Sequence, residues 1–363
     1  MMTWQAERFL VTGGAGFIGS AFVRRVVREG HAVLNLDKLT YAGSLSSLRE
    51  ITDALSYEHV RGDITDRALV RALLERFRPT AIVHLAAESH VDRSIDGPAA
   101  FVETNVVGTF VLLSEALELW RSLASDAARS FRFVQVSTDE VFGSLGAEGA
   151  FDECSPHRPN SPYSATKAAG DHLARAWFHT YGLPVLTTNC TNNYGPYQFP
   201  EKLIPLVIAR ARADEPVPVY GRGENVRDWL YVEDHVDALL TVLAAGQPGE
   251  TYAIGGREER RNIDVVRQIC AILDRIEPSR QVADRTSLIE LVQDRPGHDQ
   301  RYAMRIEKIE RELHWTPRTS FDEGLSRTVE WYLSRGDWVD EVRRAAAYAG
   351  ERLGHVVGHA IAT

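Results

Sequence analysis

The chain has 363 residues, 44% hydrophobic and 25% charged, with a formal net charge of −9. That size suits a globular protein with about two domains of roughly 150 residues each. The acidic balance argues against a nucleic-acid surface, which usually carries a net basic face, yet a few arginines in a cleft can still focus a local anion site. The cysteines Cys154, Cys190 and Cys270 are too few and too widely spaced for a disulfide framework or a zinc site. A reducing cytoplasm and no metal are therefore expected. The N-terminus lacks a basic segment followed by an apolar one, and no apolar stretch approaches the roughly 20 residues that cross a bilayer, so neither a signal peptide nor a membrane span is expected. Arginine supplies nearly all positive charge; the lysines are Lys38, Lys167, Lys202 and Lys308.

In chain order, residues 8–12 read as a strand, followed by Thr12-Gly13-Gly14-Ala15-Gly16-Phe17-Ile18-Gly19 and a helix over 17–29 closed by Gly30. The glycines permit a tight turn and a close backbone approach, so the helix N-terminus can meet a pyrophosphate. Asp37 ends the next strand, 32–37, about 20 residues on, where a carboxylate accepts from a ribose 2′-OH and favours NAD over NADP. Strand 56–61 leads to Asp63-Ile64, placed to reach an adenine, although Asp63 as a helix cap is a rival reading. Strand 81–86 precedes a long apolar periodicity over 99–121, which reads as a helix packed on the sheet or on a partner subunit.

Strand 131–137 runs into Ser137-Thr138-Asp139-Glu140. Ser161 and Pro162 then mark a helix start, with Ser161 as N-cap. Tyr163 and Lys167 stand at i and i+4 on one face of that helix, the arrangement of a lysine-assisted tyrosine base. A phenol with a pKa near 10 is a poor base at neutral pH, and a nearby ammonium and a cationic nicotinamide ring would lower that value. After strand 185–189 the pattern turns irregular from about residue 191, and the segment after Trp338 carries no chemical signal. The strand–helix alternation predicts an α/β fold with a doubly wound, Rossmann-type parallel sheet. Residues 1–190 are expected to form the NAD-binding domain with the catalytic groups, 191–340 a smaller interleaved substrate lobe with approximate boundaries, and 341–363 a tail.

The glycine turn, Ser137-Thr138 and the Tyr163/Lys167 pair resemble the extended short-chain dehydrogenase/reductase superfamily. Within it the chain resembles the nucleotide-sugar 4,6-dehydratases that act on dTDP-glucose, through Asp37-Lys38-Leu39-Thr40-Tyr41-Ala42-Gly43, the run from His84 to Ser94, Asp139-Glu140, the run from Asn192 to Leu203, Arg227-Asp228-Trp229 and Asp294-Arg295-Pro296-Gly297-His298. Nucleotide-sugar epimerases share the glycine turn and the Tyr/Lys pair, but usually hold small or uncharged residues where this chain has Asp139 and Glu140.

The resemblance implies bound NAD, contacted by Gly13, Gly16, Phe17, Ile18, Gly19, Asp37, Lys38, Thr40, Asp63, Ile64, Leu85, Ala87, Thr104, Tyr163 and Lys167. It implies a nucleotide-diphosphate sugar, dTDP-glucose, contacted by Ser89, Thr138, Asn193, Lys202, Leu203, Pro218, Tyr220, Arg227, Asn262, Asp294, Arg295 and His298. It also implies the chemistry. Tyr163, aided by Lys167, takes the 4-OH proton while hydride leaves C4, and Thr138 bonds the 4-oxygen. Glu140 takes the C5 proton, Asp139 protonates the departing 6-OH, and hydride returns to C6. A homodimer built through helices near 99–121 and 163–181 is expected, with no nucleic-acid or membrane partner. Alternatives are a 4,6-dehydratase of another nucleotide sugar, a 4-epimerase, or an NAD-binding regulator without turnover.

Two conditions follow. Adjacent residues in a strand face opposite ways, so Asp139 and Glu140 can serve one sugar only if the strand ends near Thr138 and the chain turns. Asp139 must also be protonated at rest, and a neighbouring Glu140 carboxylate would raise its pKa.

Overall fold

The computed structural model describes residues 7–346 and Tyr348. The reading of the first residues and of most of the tail 341–363 lies outside them. Twelve strands are described: β1 Arg8–Thr12, β2 Ala32–Asp37, β3 Tyr57–Arg61, β4 Ala81–His84, β5 Arg132–Thr138, β6 Val185–Cys190, β7 Asn192–Tyr194, β8 Val217–Tyr220, β9 Val226–Tyr231, β10 Thr251–Ile254, β11 Glu259–Arg261 and β12 Ile289–Val292. Seven of them form one parallel sheet in the order β10-β6-β5-β4-β1-β2-β3. The six strands expected from sequence are all present, shifted by no more than two residues at their ends. The seventh, β10, was not foreseen.

Alternation along β1 explains the doubly wound packing. Phe9 and Val11 face one side, where helices Phe17–Arg28 and Val232–Ala245 supply Phe22, Val23, Val236 and Leu239. Leu10 faces the other, against Leu73, Leu112 and Ala116. Side chains of a strand alternate between faces, so one apolar strand feeds two cores. The lobe has its own core around Tyr194, Ile204, Val219, Ile269 and Phe321, carried by the three-stranded sheet β11-β9-β7 and the pair β12-β8. Helix Gly336–Ala345 docks on this lobe through Trp338, whose indole donates to Ser47 Oγ at 3.2 Å.

The apolar stretch near residue 100 departs from expectation. Pro98–Arg121 is a continuous 24-residue helix, long and apolar enough by length and composition to cross a bilayer, so the statement that no such stretch exists is corrected. Over half of its most apolar window is buried inside the protein, and Leu112, Leu113 and Ala116 are fully enclosed against the sheet. Its middle, Val102–Gly108, is a π-helical segment. Gly108 lies there because a Cβ would sit 2.5 Å from Ile64 Cδ1, so the helix can close on the loop after β3.

Candidate active site

The glycine turn is dictated by contact. Gly13 has φ +73°, and a Cβ on it would lie 2.6 Å from Ala86 N. A Cβ on Gly19 would lie 2.1 Å from Gly13 O, so the turn and the first helical turn nest only without side chains. Asp37, at the end of β2, accepts from Ala15 N and Leu39 N, both at 2.8 Å. Lys38 bridges to Asp63 at 2.6 Å. Asp63 does not cap the next helix: its Oδ1 accepts from Thr65 N, and Asp66 is the N-cap of Arg67–Phe77.

One cleft of about 300 Å³ joins this turn to the end of β5. All fifteen residues expected to touch a dinucleotide line it, from Gly13 to Lys167, and so do Thr138, Asp139 and Glu140. A backbone cradle without Cβ atoms, a buried carboxylate one strand away and the Tyr163/Lys167 pair at the far end fit a nicotinamide dinucleotide. Asn105, unnoticed in the sequence, ties this wall together from the π-helical segment. Its amide accepts from Glu88 N at 2.9 Å and donates to Glu88 O and Thr166 Oγ1, both at 3.0 Å.

At the chemical end, β5 stops at Thr138 and Asp139–Phe142 forms a 3₁₀ turn. Thr138 Oγ1 accepts from Glu140 N at 3.2 Å and donates to Asp139 Oδ1 at 3.1 Å. The turn therefore rotates both carboxylates out of strand alternation and into one cleft. Ser161 and Ser164 cap the Pro162–Tyr181 helix reciprocally, and that helix lays Tyr163 and Lys167 beside them. Lys167 Nζ donates to Val136 O at 2.7 Å.

The two carboxylates are placed differently. Asp139 is 1% exposed, its Oδ2 has no partner, and burial, then the charge of Glu140, push its carboxyl well above the usual range. Glu140 is also raised by burial, but Arg295, Arg227 and Lys202 pull the other way. Environments that separate two carboxyls in this manner separate acid from base. Tyr163 departs from the simple expectation. Burial and the charges of Glu140 and Asp139 raise the phenol well above its ordinary value, opposed by a hydrogen bond from Thr138. The surroundings supplied by the chain therefore favour the neutral phenol, and a cationic ring bound beside it would pull the other way.

The residues expected to hold the substrate split into two groups. Ser89, Asn193 and Lys202 line the cleft, with Lys202 Nζ donating to Ser89 O at 3.1 Å. Pro218, Tyr220, Arg227, Asn262, Asp294, Arg295 and His298 lie beyond it on the lobe, where Asp92 gathers two of them. Its carboxylate accepts from Tyr220 Oη at 2.8 Å and from Arg295 Nη1 at 2.6 Å. Arg227 is buried over the Tyr302 ring and donates to Asp299 O at 2.9 Å. His298 Nδ1 pairs with Asp294 Oδ1 at 2.6 Å, and burial holds its pKa down to about 4, so it is a neutral contact at pH 7. Asn262 opens helix Asn262–Ile276 with a buried side-chain oxygen lacking a partner. The partly buried Leu203 packs against the lobe core. Asp92 was not singled out in the sequence, although it stands inside the run from His84 to Ser94.

The parallel sheet, the glycine turn and the Tyr/Lys pair on the helix beside the end of β5 define an extended short-chain dehydrogenase/reductase. Within that class the chain belongs to the family described as GDP-mannose 4,6 dehydratase, whose model matches residues 10–328. It is 56% identical to the dTDP-glucose 4,6-dehydratase of Xanthomonas campestris pv. campestris strain B100 over 98% of this chain and all of that one. Its fold matches the crystal structure of DesIV, a dTDP-glucose 4,6-dehydratase from Streptomyces venezuelae with NAD and TYD bound, with TM-score 0.84 and 45% identity over 92% of this chain and 99% of that one. A UDP-glucose 4-epimerase from Thermus thermophilus in complex with NAD also matches, with TM-score 0.79 and 28% identity over 90% and 99%. The fold is shared between dehydratase and epimerase, so the site must decide between them.

Proposed function

We infer that this chain dehydrates dTDP-glucose to dTDP-4-keto-6-deoxyglucose with bound NAD. The observation that carries the reading is the pair Asp139 and Glu140 in one cleft with Tyr163 and Lys167, on a chain 56% identical to a dTDP-glucose 4,6-dehydratase. Bound NAD supplies the acceptor that holds the C4 hydride until its return to C6. Tyr163 takes the proton of the sugar 4-OH, and Thr138 Oγ1 bonds the 4-oxygen as it becomes a ketone. That ketone acidifies C5, and Glu140, whose cationic neighbours favour its carboxylate, removes the C5 proton. Asp139, kept protonated by burial, gives its proton to the departing 6-OH, which leaves as water. Glu140 then returns a proton to C5. Lys202, Arg227 and Arg295 provide the cations that a diphosphate requires.

An epimerase needs no acid at the position of Asp139, and a regulator without turnover needs none of these groups together. The exposed apolar side chains Val102, Phe110 and Tyr181, carried by the Pro98–Arg121 and Pro162–Tyr181 helices, support a homodimer in which these helices pair with their counterparts. The reading also places the enzyme in a reducing cytoplasm, with Cys154, Cys190 and Cys270 as thiols.

The test is incubation with dTDP-, UDP-, CDP- and GDP-hexoses without added cofactor. Product mass falls by one water with dTDP-glucose in preference to the others. Inversion at C4 without mass loss would establish an epimerase instead.

A further inference from the structure

The buried carboxylate of Asp171 has no part in the chemistry above. Asp171 lies one helical turn beyond Lys167 on the Pro162–Tyr181 helix, so Tyr163, Lys167 and Asp171 succeed one another at four-residue intervals along one face. Its Oδ2 accepts from Ser137 Oγ at 2.8 Å and Asn189 Nδ2 at 3.1 Å, and the same Asn189 amide donates to Thr138 O at 3.1 Å. The carboxylate is thus fastened to the two residues that precede Asp139 and Glu140. Lys167, 7% exposed, makes its hydrogen bond to a neutral carbonyl, Val136 O. An ammonium buried there without a countercharge would lose its proton.

We propose that Asp171 is a positioning residue that supplies the countercharge for the buried Lys167 ammonium and pins the Ser137–Thr138 strand end. The proposal rests on the dehydratase reading for its kinetic consequence but not for its electrostatic one. The two other titratable groups that act electrostatically with Lys167 cannot take this role. From β6, Cys190 is pushed by burial up to about 12 and stays a thiol. From β4, His84 is held by burial down to about 3 and stays neutral. Asp171 itself is pushed up by burial to about 6, opposed first by Lys167, and is ionised at neutral pH. Its remaining neighbours are Gln135 from β5 and, around a second cleft of about 480 Å³ that Asp171 also lines, His157, His172, Glu153 and Glu250.

The test is the pH profile of kcat for Asp171→Asn and Asp171→Glu with dTDP-glucose. Asp171→Asn lowers kcat by about 10-fold or more, leaves KM within about 2-fold, and moves the rising limb up by about one pH unit. Asp171→Glu, which keeps the charge, holds the limb near its wild-type position. If both variants lose rate with the limb unmoved, the residue is only structural and the proposal falls.

A second readout needs no substrate. Removing one of two buried opposite charges leaves the other uncompensated, whereas removing both does not. Lys167→Met/Asp171→Asn should therefore melt higher, or accumulate more folded protein, than Asp171→Asn alone. A double variant no more stable than that single one overturns the charge coupling, even if the dehydratase reading stands.

Discussion

At the level of residues, the site separates two carboxyls that sit side by side in the chain. Asp139 is enclosed and its pKa is pushed well up by burial, while Glu140 faces three cations. The variants Asp139→Asn and Glu140→Gln should each lower kcat by roughly 10²- to 10⁴-fold, the range of a single general acid or base, with NAD still bound. In Glu140→Gln the loss falls on elimination, so reduced cofactor accumulates on the enzyme when substrate is added. Near wild-type dehydration by Glu140→Gln would remove Glu140 from the mechanism. His84 gives a second prediction at this scale. It is 2% exposed, paired with Thr12 Oγ1 at 2.7 Å and Thr109 Oγ1 at 3.0 Å, and its pKa is held down to about 3 against an ordinary 6.5. The unfolded chain then binds the extra proton first, so the stability His84 contributes is complete above pH 6.5 and is lost as pH falls toward 3. The stability gap between wild type and His84→Asn should shrink on acidification by about 1.4 kcal/mol per pH unit at most. A gap that stays constant from pH 7 to pH 5 would mean that His84 does not titrate as described.

At the level of elements, the glycine turn is the most constrained piece. Gly13→Ala places a methyl 2.6 Å from the Ala86 backbone at φ +73°, so the purified variant should lose its NAD, measured as cofactor released on denaturation. Retention of the wild-type complement would show that the turn can open without cost. The sequence made this turn readable because its chemistry is local: a strand, glycines at fixed spacing and an acid at the next strand end. The same holds for Ser161, Tyr163 and Lys167 on one capped helix. Strand β10 was not readable, since Thr251–Ile254 is four residues long and owes its place to pairing with β6. The π-helical segment was hidden too, because apolar periodicity over residues 99–121 does not register one wider turn. Of the two causes that raise the Asp139 pKa, the charge of adjacent Glu140 was legible in the sequence, whereas the larger one, burial by distant parts of the chain, follows no local pattern. Asp171, by contrast, stands at helical spacing from Lys167, and that spacing was a signal within reach.

At the level of the whole molecule, the glycine turn, Tyr163 and the two carboxylates line one cleft together with Asn193 and Lys202 of the lobe, the arrangement that the proposed reaction on a single sugar requires. The apolar face around Phe110 belongs to this scale as well. Phe110 is 41% exposed on a helix whose other side is enclosed; in the proposed homodimer it lies at the interface, so Phe110→Glu should be a monomer by light scattering, with dimer retention placing the interface elsewhere. The central claim is that one bound cofactor carries out both an oxidation and a reduction within a single turnover. It is tested most directly with dTDP-glucose deuterated at C4. The product should be one water lighter, with the deuterium in its C6 methyl group. Deuterium left on C4, or lost to solvent while water is eliminated, would contradict it.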